Sequence, residues 1–427
     1  PQPSANGYPQ MNMFDQPELE AMMRANLKRY PDALFRGNVE VTSVTQNAHG
    51  RVRVSFLDRV RGGEQSVEAS YVLGCDGANS AVRASIGAHM YGLSFQQDWL
   101  VIDVDTDAEL NQWEGCHQLC SIERAGTYMR VGPTRYRWEF QLKAGETAAD
   151  YQKIADIEPL IKPWLGDTPA EQLRLVRVTA YTFRAKVASS WRDRNVFILG
   201  DAAHLTPPFV GQGMAAGLRD ALNLSWKVAG VLNKSLPESV LETYEQERKA
   251  HAAAMILMAV SVGTAMTGGG RTGDLIRKVV FPRMGNLRLP GTRTSAAEGV
   301  APGLRKSALV IKSHSPGQLA GTLCPNSVLQ DGTRFDQVVG NRFALVTSVR
   351  LSDAQQSQLS LRGAALVSVT AESELGRWLK RGRATAAIVR PDAAVMQAGR
   401  NVQALCDALP SFPAGETARA KTERISR

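Results

Sequence analysis

Residues Asn195–Lys227 read NVFILGDAAHLTPPFVGQGMAAGLRDALNLSWK. The apolar run Val196-Phe197-Ile198-Leu199 predicts a buried strand that stops at Gly200-Asp201. Two prolines and two glycines, Pro207, Pro208, Gly211 and Gly213, then forbid regular structure until about Gly213. From Met214 onward the apolar residues Met214, Leu218, Leu222 and Trp226 recur at helical spacing. The pattern is a strand, one acidic residue at its carboxyl end, a Pro/Gly turn, and a helix whose first turn is made of small residues. In open α/β sheets ligands sit beyond strand ends and against helix N-termini. An Asp there can accept hydrogen bonds from sugar or polyol hydroxyls, and free backbone N–H groups favour an acceptor-rich group. On spacing alone, a strand–loop–helix connection with an N-capping Asp and nothing bound fits equally well.

The literal string goes further. GDAAH, then PP, GQG and RDALNLSWK, resembles the second flavin-binding motif of the class A flavoprotein aromatic hydroxylases, the p-hydroxybenzoate hydroxylase-like superfamily. The closer resemblance is to the 3-(3-hydroxyphenyl)propionate hydroxylase and phenol hydroxylase branch. A second match stands upstream, where Ser66 to Leu73 predicts a strand running into Gly74-Cys75-Asp76-Gly77-Ala78-Asn79-Ser80-Ala81-Val82-Arg83. An Asp-Gly turn alone is common. This one stands about 125 residues before GDAAH, and it matches the family's DG motif at Asp76, Gly77 and Arg83 with the family's spacing.

The resemblance implies FAD as cofactor and NADH or NADPH as co-substrate. It implies that Asp76, Gly77 and Arg83 serve the pyrophosphate side, and that Gly200 and Asp201 serve the ribityl chain. Pro208, Gly211, Gly213, Met214 and Ala215 would line the isoalloxazine edge, and Gln16, at the start of a predicted helix, would touch the cofactor. Relatives often carry Asn where this chain has Ala215. Flavin with O2 would then supply one oxygen atom to a small aromatic substrate, a phenol such as 3-(3-hydroxyphenyl)propionate. The same motifs serve aromatic polyketide-tailoring hydroxylases. A third reading is a catalytically inactive remnant that acts only in binding or structure. No catalytic base is evident; Tyr181, a phenol in the sheet region, is the speculative candidate, against plain core packing.

The remaining chain fits an α/β fold, α+β in part. Residues 1–88 are expected to form the remainder of a Rossmann-like FAD-binding domain, with strands at Val39 to Val44 and Val52 to Leu57. Residues 89–186, rich in short alternating runs and aromatics, predict an antiparallel substrate-binding sheet. Residues 187–285 return to the FAD domain with the GD motif and long helices, including Pro237 to Met266 and one from Thr272 to about Met284. A linker is expected at 286–320, a thioredoxin-like C-terminal domain at 321–411 and a tail at 412–427. That domain carries no C-x-x-C, so a structural or dimer-contact role is expected instead of thiol chemistry. The FAD domain is expected to be incomplete. No G-x-G-x-x-G turn exists for the ADP half of FAD, and the chain opens on Pro1 rather than Met. The missing βαβ unit, roughly 30 residues, is expected upstream.

Composition bounds the alternatives. With 427 residues, 44% hydrophobic and 21% charged, the chain suits two to three globular domains. The net charge of +9 is scattered, without the clustered basic and aromatic stripe of a nucleic-acid surface. No apolar run is long enough for a membrane span, and no signal peptide is visible. The cysteines Cys75, Cys116, Cys120, Cys324 and Cys406 are irregularly spaced, which suits a reducing cytoplasm; Cys116-His117 with Cys120 lacks a second ligand pair, so no metal is expected. A homodimer is the expected assembly if there is one.

Overall fold

The structure is a computed structural model that describes residues 7–9, 12–121, 123–267, 303–312 and 319–412. The helix expected from Thr272 to about Met284, and most of the expected linker, lie outside these residues. The chain divides into two compact units. One holds Met11–Gly213 and Ile256–Val300; the other holds Met214–Met255 and Ala301–Arg427 together with Pro1–Gln10.

The first unit begins with helix α1 (Gln16–Leu27), which buries none of its residues. Strands β1 (Val39–Gln46), β2 (Val52–Asp58) and β3 (Glu64–Ala69) form an antiparallel meander. The strand predicted over Ser66 to Leu73 is in fact two. Its first half ends in β3, and its second half is β4 (Val72–Gly74), which belongs to another sheet. The break falls at Ser70-Tyr71, where alternating polarity gives way to a short apolar run. After β4 comes the short helix α2 (Ala81–Ser85), capped by Ser80, whose side chain accepts from the Arg83 amide. Gly74 is obligatory in this crossing, because a Cβ there would sit 2.6 Å from the Val82 side chain of α2.

A six-stranded antiparallel sheet follows. It contains β5 (Met90–Asp105), β6 (His117–Leu119), β7 (Gly126–Arg130), β8 (Arg135–Gln141), β9 (Arg174–Ala188) and, at its edge, β12 (His204–Leu205), in the order β12-β9-β5-β8-β7-β6. Strict alternation along β8 sends Tyr136, Trp138 and Phe140 to one face. There they pack with Leu100, Ile102, Tyr128 and helix α3 (Ile154–Leu165), which contributes Ile157, Ile161 and Trp164. Each such fully buried large side chain contributes roughly 1.5–3 kcal/mol of hydrophobic stabilisation, so this cluster anchors the unit. Strands β10 (Arg192–Asp193) and β11 (Val196–Ile198) complete the unit: β11 pairs antiparallel with β10 and parallel with β4.

In the other unit, helix α4 (Gly213–Leu232) and the first part of α5 (Glu242–Thr267) accompany a four-stranded sheet. The sheet has the order β14 (Ala365–Ser368), β13 (Ala344–Thr347), β15 (Ala386–Val389), β16 (Val395–Gly399). The central strands β13 and β15 are buried along their whole length because both faces are covered. Ala344, Val346 and Ala387 face Phe335, Leu375 and Trp378, whereas Phe343, Leu345 and Ile388 face Trp226, Leu359 and Leu405.

Helix α4 does not bury the stripe its periodicity suggests. Met214, Leu218 and Leu222 are exposed, and of the predicted set only Trp226 is buried. The helix instead buries Ala216, Asp220, Asn223, Leu224, Lys227 and Val228. Polar side chains are inside because charge partners meet them there. Glu247 of α5 accepts Lys227 Nζ at 3.0 Å, Asn223 Nδ2 at 2.8 Å and both terminal nitrogens of Arg390 at 2.9 Å. Asp392 pairs with Arg390 in turn. One helical step away, Arg248 Nε donates to Asp220 at 2.8 Å. Burial alone would raise the Glu247 pKa, but Arg390 and Lys227 outweigh it and hold the carboxyl at about 2. Burial pushes the Lys227 ammonium down to about 8 against the pull of Glu247. Among the described residues no helix is long and apolar enough to cross a membrane.

Candidate flavin site

The parallel pairing of β4 and β11 brings the two fingerprints together. Gly74 lies opposite Ile198, so Asp76 and Asp201 both follow the carboxyl ends of neighbouring parallel strands. The loops after these strands are tied by Arg83. Its guanidinium donates to the Ala78 carbonyl of its own loop at 2.8 Å and to the Ala202 carbonyl of the other at 3.0 Å. Asp76 is tied to its own loop: it accepts from Ser80 Oγ and, at 3.0 Å, from the Val82 amide, which shapes the entry to α2. Asp76 and Arg83 therefore build the wall of the site as well as any contact they make to a ligand.

Asp201 is different. It lies in a one-turn helix, Gly200–Ala202, that Gly200 enters at φ 57, and its carboxylate accepts no hydrogen bond from the described residues. The side chain opens to solvent from a recess: desolvation raises its pKa and His204 draws it down. His204 itself stacks on Trp191. An acceptor held at a strand end, with its hydrogen bonds unspent on protein, suits a polyhydroxylated chain.

The loop beyond it is open along its backbone. Pro208–Val210 forms a single turn closed by Gly211 in the left-handed region, φ 61. A Cβ added at Gly77, Gly211 or Gly213 would meet nothing within 4 Å, so each of these backbone stretches borders free space. At Gly213 helix α4 begins, with Met214 and Ala215 in its first turn and no acidic residue to occupy its N–H groups. The residues up to Gly213 thus fit a flavin: an acceptor for hydroxyls, and glycine backbone that a flat ring can approach. FAD held here supplies redox chemistry with O2 that no side chain of the site offers.

Gln16 is the first residue of α1 and is exposed; its neighbour Asp15 meets Arg135 of the sheet at 3.4 Å. Tyr181 stands on the sheet beside Phe183 at 5.4 Å between ring centroids. Burial raises its pKa, Asp201 raises it further, and Arg184 opposes them. Tyr181 therefore lies within electrostatic reach of Asp201, and its environment favours the protonated phenol over a phenolate base. Sequence reading missed Phe209, which follows Pro208 and packs on Trp99 at 6.0 Å, joining the glycine loop to the sheet. An aromatic next to Pro-Pro was the available signal. Among the described residues no group of three or more His, Cys, Asp or Glu is arranged to hold a metal.

Replacing Arg83 with Ala is expected to weaken FAD binding by about tenfold, the loss of two charge-assisted hydrogen bonds that align the loops. Arg83→Lys should not restore it, because one ammonium cannot span both carbonyls. A flavin fluorescence titration reads both variants, and wild-type affinity in Arg83→Lys would show the fork to be dispensable.

Two acidic turns at the ends of neighbouring parallel strands, beside an antiparallel sheet, are what an FAD-dependent aromatic hydroxylase requires. Comparison with known proteins agrees. The FAD binding domain family matches residues 4–259, and the chain belongs to that family. It is 29% identical to a probable NADH-specific resorcinol 4-hydroxylase of Rhodococcus jostii (strain RHA1), over 94% of this chain and 76% of that protein. It is 32% identical to a 3-(3-hydroxy-phenyl)propionate/3-hydroxycinnamic acid hydroxylase of Burkholderia vietnamiensis, over 85% of this chain and 67% of that protein. Among solved structures, aklavinone-11 hydroxylase with FAD and aklavinone shares the fold at a TM-score of 0.75 and 22% identity, covering 94% of this chain and 78% of its own.

Proposed function

We propose that the chain hydroxylates a small phenol, using NADH or NADPH and O2, in the manner of the relatives named for resorcinol and for 3-(3-hydroxyphenyl)propionate. The observation that carries this reading is the pair of acidic strand ends braced by Arg83 beside a sheet face lined by Trp99, Phe183 and Phe209. In this reading Asp201 holds the ribityl hydroxyls, and the backbone at Gly211 and Gly213 admits the ring system. The buried aromatic cluster excludes water at the edge of the substrate's place, where Tyr181 stands half exposed. Tyr181, kept protonated, donates a hydrogen bond and does not act as base. We assign the four-stranded C-terminal sheet a thioredoxin-like, non-redox role, in keeping with the buried Cys324 and Cys406. A polyketide-tailoring activity is the second reading, favoured by the structural likeness to aklavinone-11 hydroxylase.

The test is product formation by FAD-loaded protein given NADH, O2 and a panel of phenols. Hydroxylated product in step with NADH consumed supports the reading. NADH oxidation that yields only hydrogen peroxide with every phenol would sink it, and turnover of polycyclic substrates alone would favour the second reading.

A further inference from the structure

The face of the antiparallel sheet turned away from α3 is sorted by register into rows. Next to the row of Gln97 and Phe183 lie Trp99, Tyr181 and Gln141, opposite one another on β5, β9 and β8, with Phe209 resting on Trp99. Two residues along, about 7 Å, lie Val101, Thr179, Glu139 and, on β7, Thr127. Beyond them come Asp103, Arg137 and Arg177, and then Asp105 and Arg135 with Arg174.

The outer rows satisfy themselves. Asp103 takes Arg137 Nε at 2.6 Å and Arg177 Nε at 3.1 Å. Asp105 is held by both Arg135 and Arg174. Glu139 is left out of this lattice. Thr127 Oγ1 donates to its Oε2 at 3.2 Å, and it has no other hydrogen bond and no ion pair among the described residues. Burial raises its carboxyl pKa, and Arg137 only partly offsets this. A crowded carboxyl with one neutral partner, one row from an aromatic platform, is short of a hydrogen-bond donor.

We propose that Glu139 and Thr127 are the specificity pair for a second hydroxyl on the substrate ring, selecting a dihydroxybenzene over a phenol with a carboxylated side chain. This rests on the phenol-hydroxylase reading above. A ring stacked in the first row reaches the second row with a hydroxyl. Its O–H donates to the free oxygen of Glu139, whose other oxygen Thr127 holds. A carboxylate in the same place meets a carboxylate, and Arg137, the cation that bears on Glu139, is already bound to Asp103.

Calorimetric binding of resorcinol and of 3-(3-hydroxyphenyl)propionate to the FAD-loaded protein tests this independently of turnover. Wild-type protein should prefer resorcinol by about tenfold or more. Glu139→Leu should lose that preference and Glu139→Gln, which still offers an acceptor, should keep most of it. Glu139→Arg should invert it, and Thr127→Val should reduce it, all with FAD affinity unchanged. Wild-type preference for the carboxylated phenol overturns the proposal. So does a Glu139→Leu protein with an intact melting curve that binds resorcinol within about twofold of wild type. If Glu139→Leu fails to fold, the Gln and Arg variants read the same selectivity. Binding with the expected preference but no hydroxylation of either compound would fault the reaction and leave the recognition pair standing.

Discussion

Glu247→Ala should cost the unit containing the C-terminal sheet about 3–5 kcal/mol of stability, the range for removing one partner of a buried ion pair. Glu247 is fully buried, as are Lys227 and Arg390, and it is the carboxylate those two cations share. Without it, two cations remain in the interior with Asp392 as the nearest remaining charge partner of Arg390. Glu247→Gln keeps the volume but not the charge and should fall by nearly as much. Guanidinium titration of both variants measures this, and a loss under about 1 kcal/mol, the scale of exposed pairs, would show that solvent reaches the network.

The same carboxyl predicts an acid dependence. Its pKa is about 2 in the folded chain and near 4.5 when unfolded, so it is a depressed acid. Its stabilisation is fully present above pH 4.5 and drains away as pH falls from there toward 2. The amount is on the order of 3 kcal/mol by linkage. Stability of Glu247→Gln should therefore be flatter than wild type across that window, and parallel curves would refute the assignment.

Asp201→Ala should weaken FAD binding by about ten- to a hundredfold, because hydrogen bonds to a charged acceptor contribute roughly 1.5–3 kcal/mol. The fold should scarcely change, since the Asp201 carboxylate accepts no hydrogen bond from the described residues. Asp201→Asn retains an acceptor oxygen and should lie between. This separates Asp201 from Asp76, which carries local structure: Asp76→Ala should lower both affinity and melting temperature, through the lost bonds to Ser80 and the Val82 amide. Undiminished flavin affinity in Asp201→Ala, measured by fluorescence quenching, would place the ribityl chain elsewhere.

Much of the site was legible in the residues. The strand at Val196, the acidic turn at Asp201, the Pro/Gly loop and the helix after Gly213 all stand where local composition puts them. Those are short-range features: apolar runs, residues that forbid or permit a backbone conformation, and helical periodicity. The DG and GD motifs could be paired by resemblance, but their physical junction through Arg83 could not, because a guanidinium reaching 119 residues along the chain leaves no periodic trace.

The sequence by itself determined the element types, the two flavin fingerprints and the family. Tertiary structure decided which face of α4 is inside, which sheet each strand joins, and which polar groups meet partners. Helix α4 shows an apolar stripe that it exposes and buries Lys227 and Asp220, because Glu247 and Arg248 on another helix supply the opposite charges. The run from Ser66 to Leu73 reads as one strand and serves two sheets, because its second half pairs with β11, distant in sequence. Glu139 looks like one more alternating polar residue of β8 until cross-strand register shows it to be the acid its arginine neighbours leave unpaired. In each case the deciding term is a partner far along the chain, and partner charge and desolvation outweigh local propensity once the two meet.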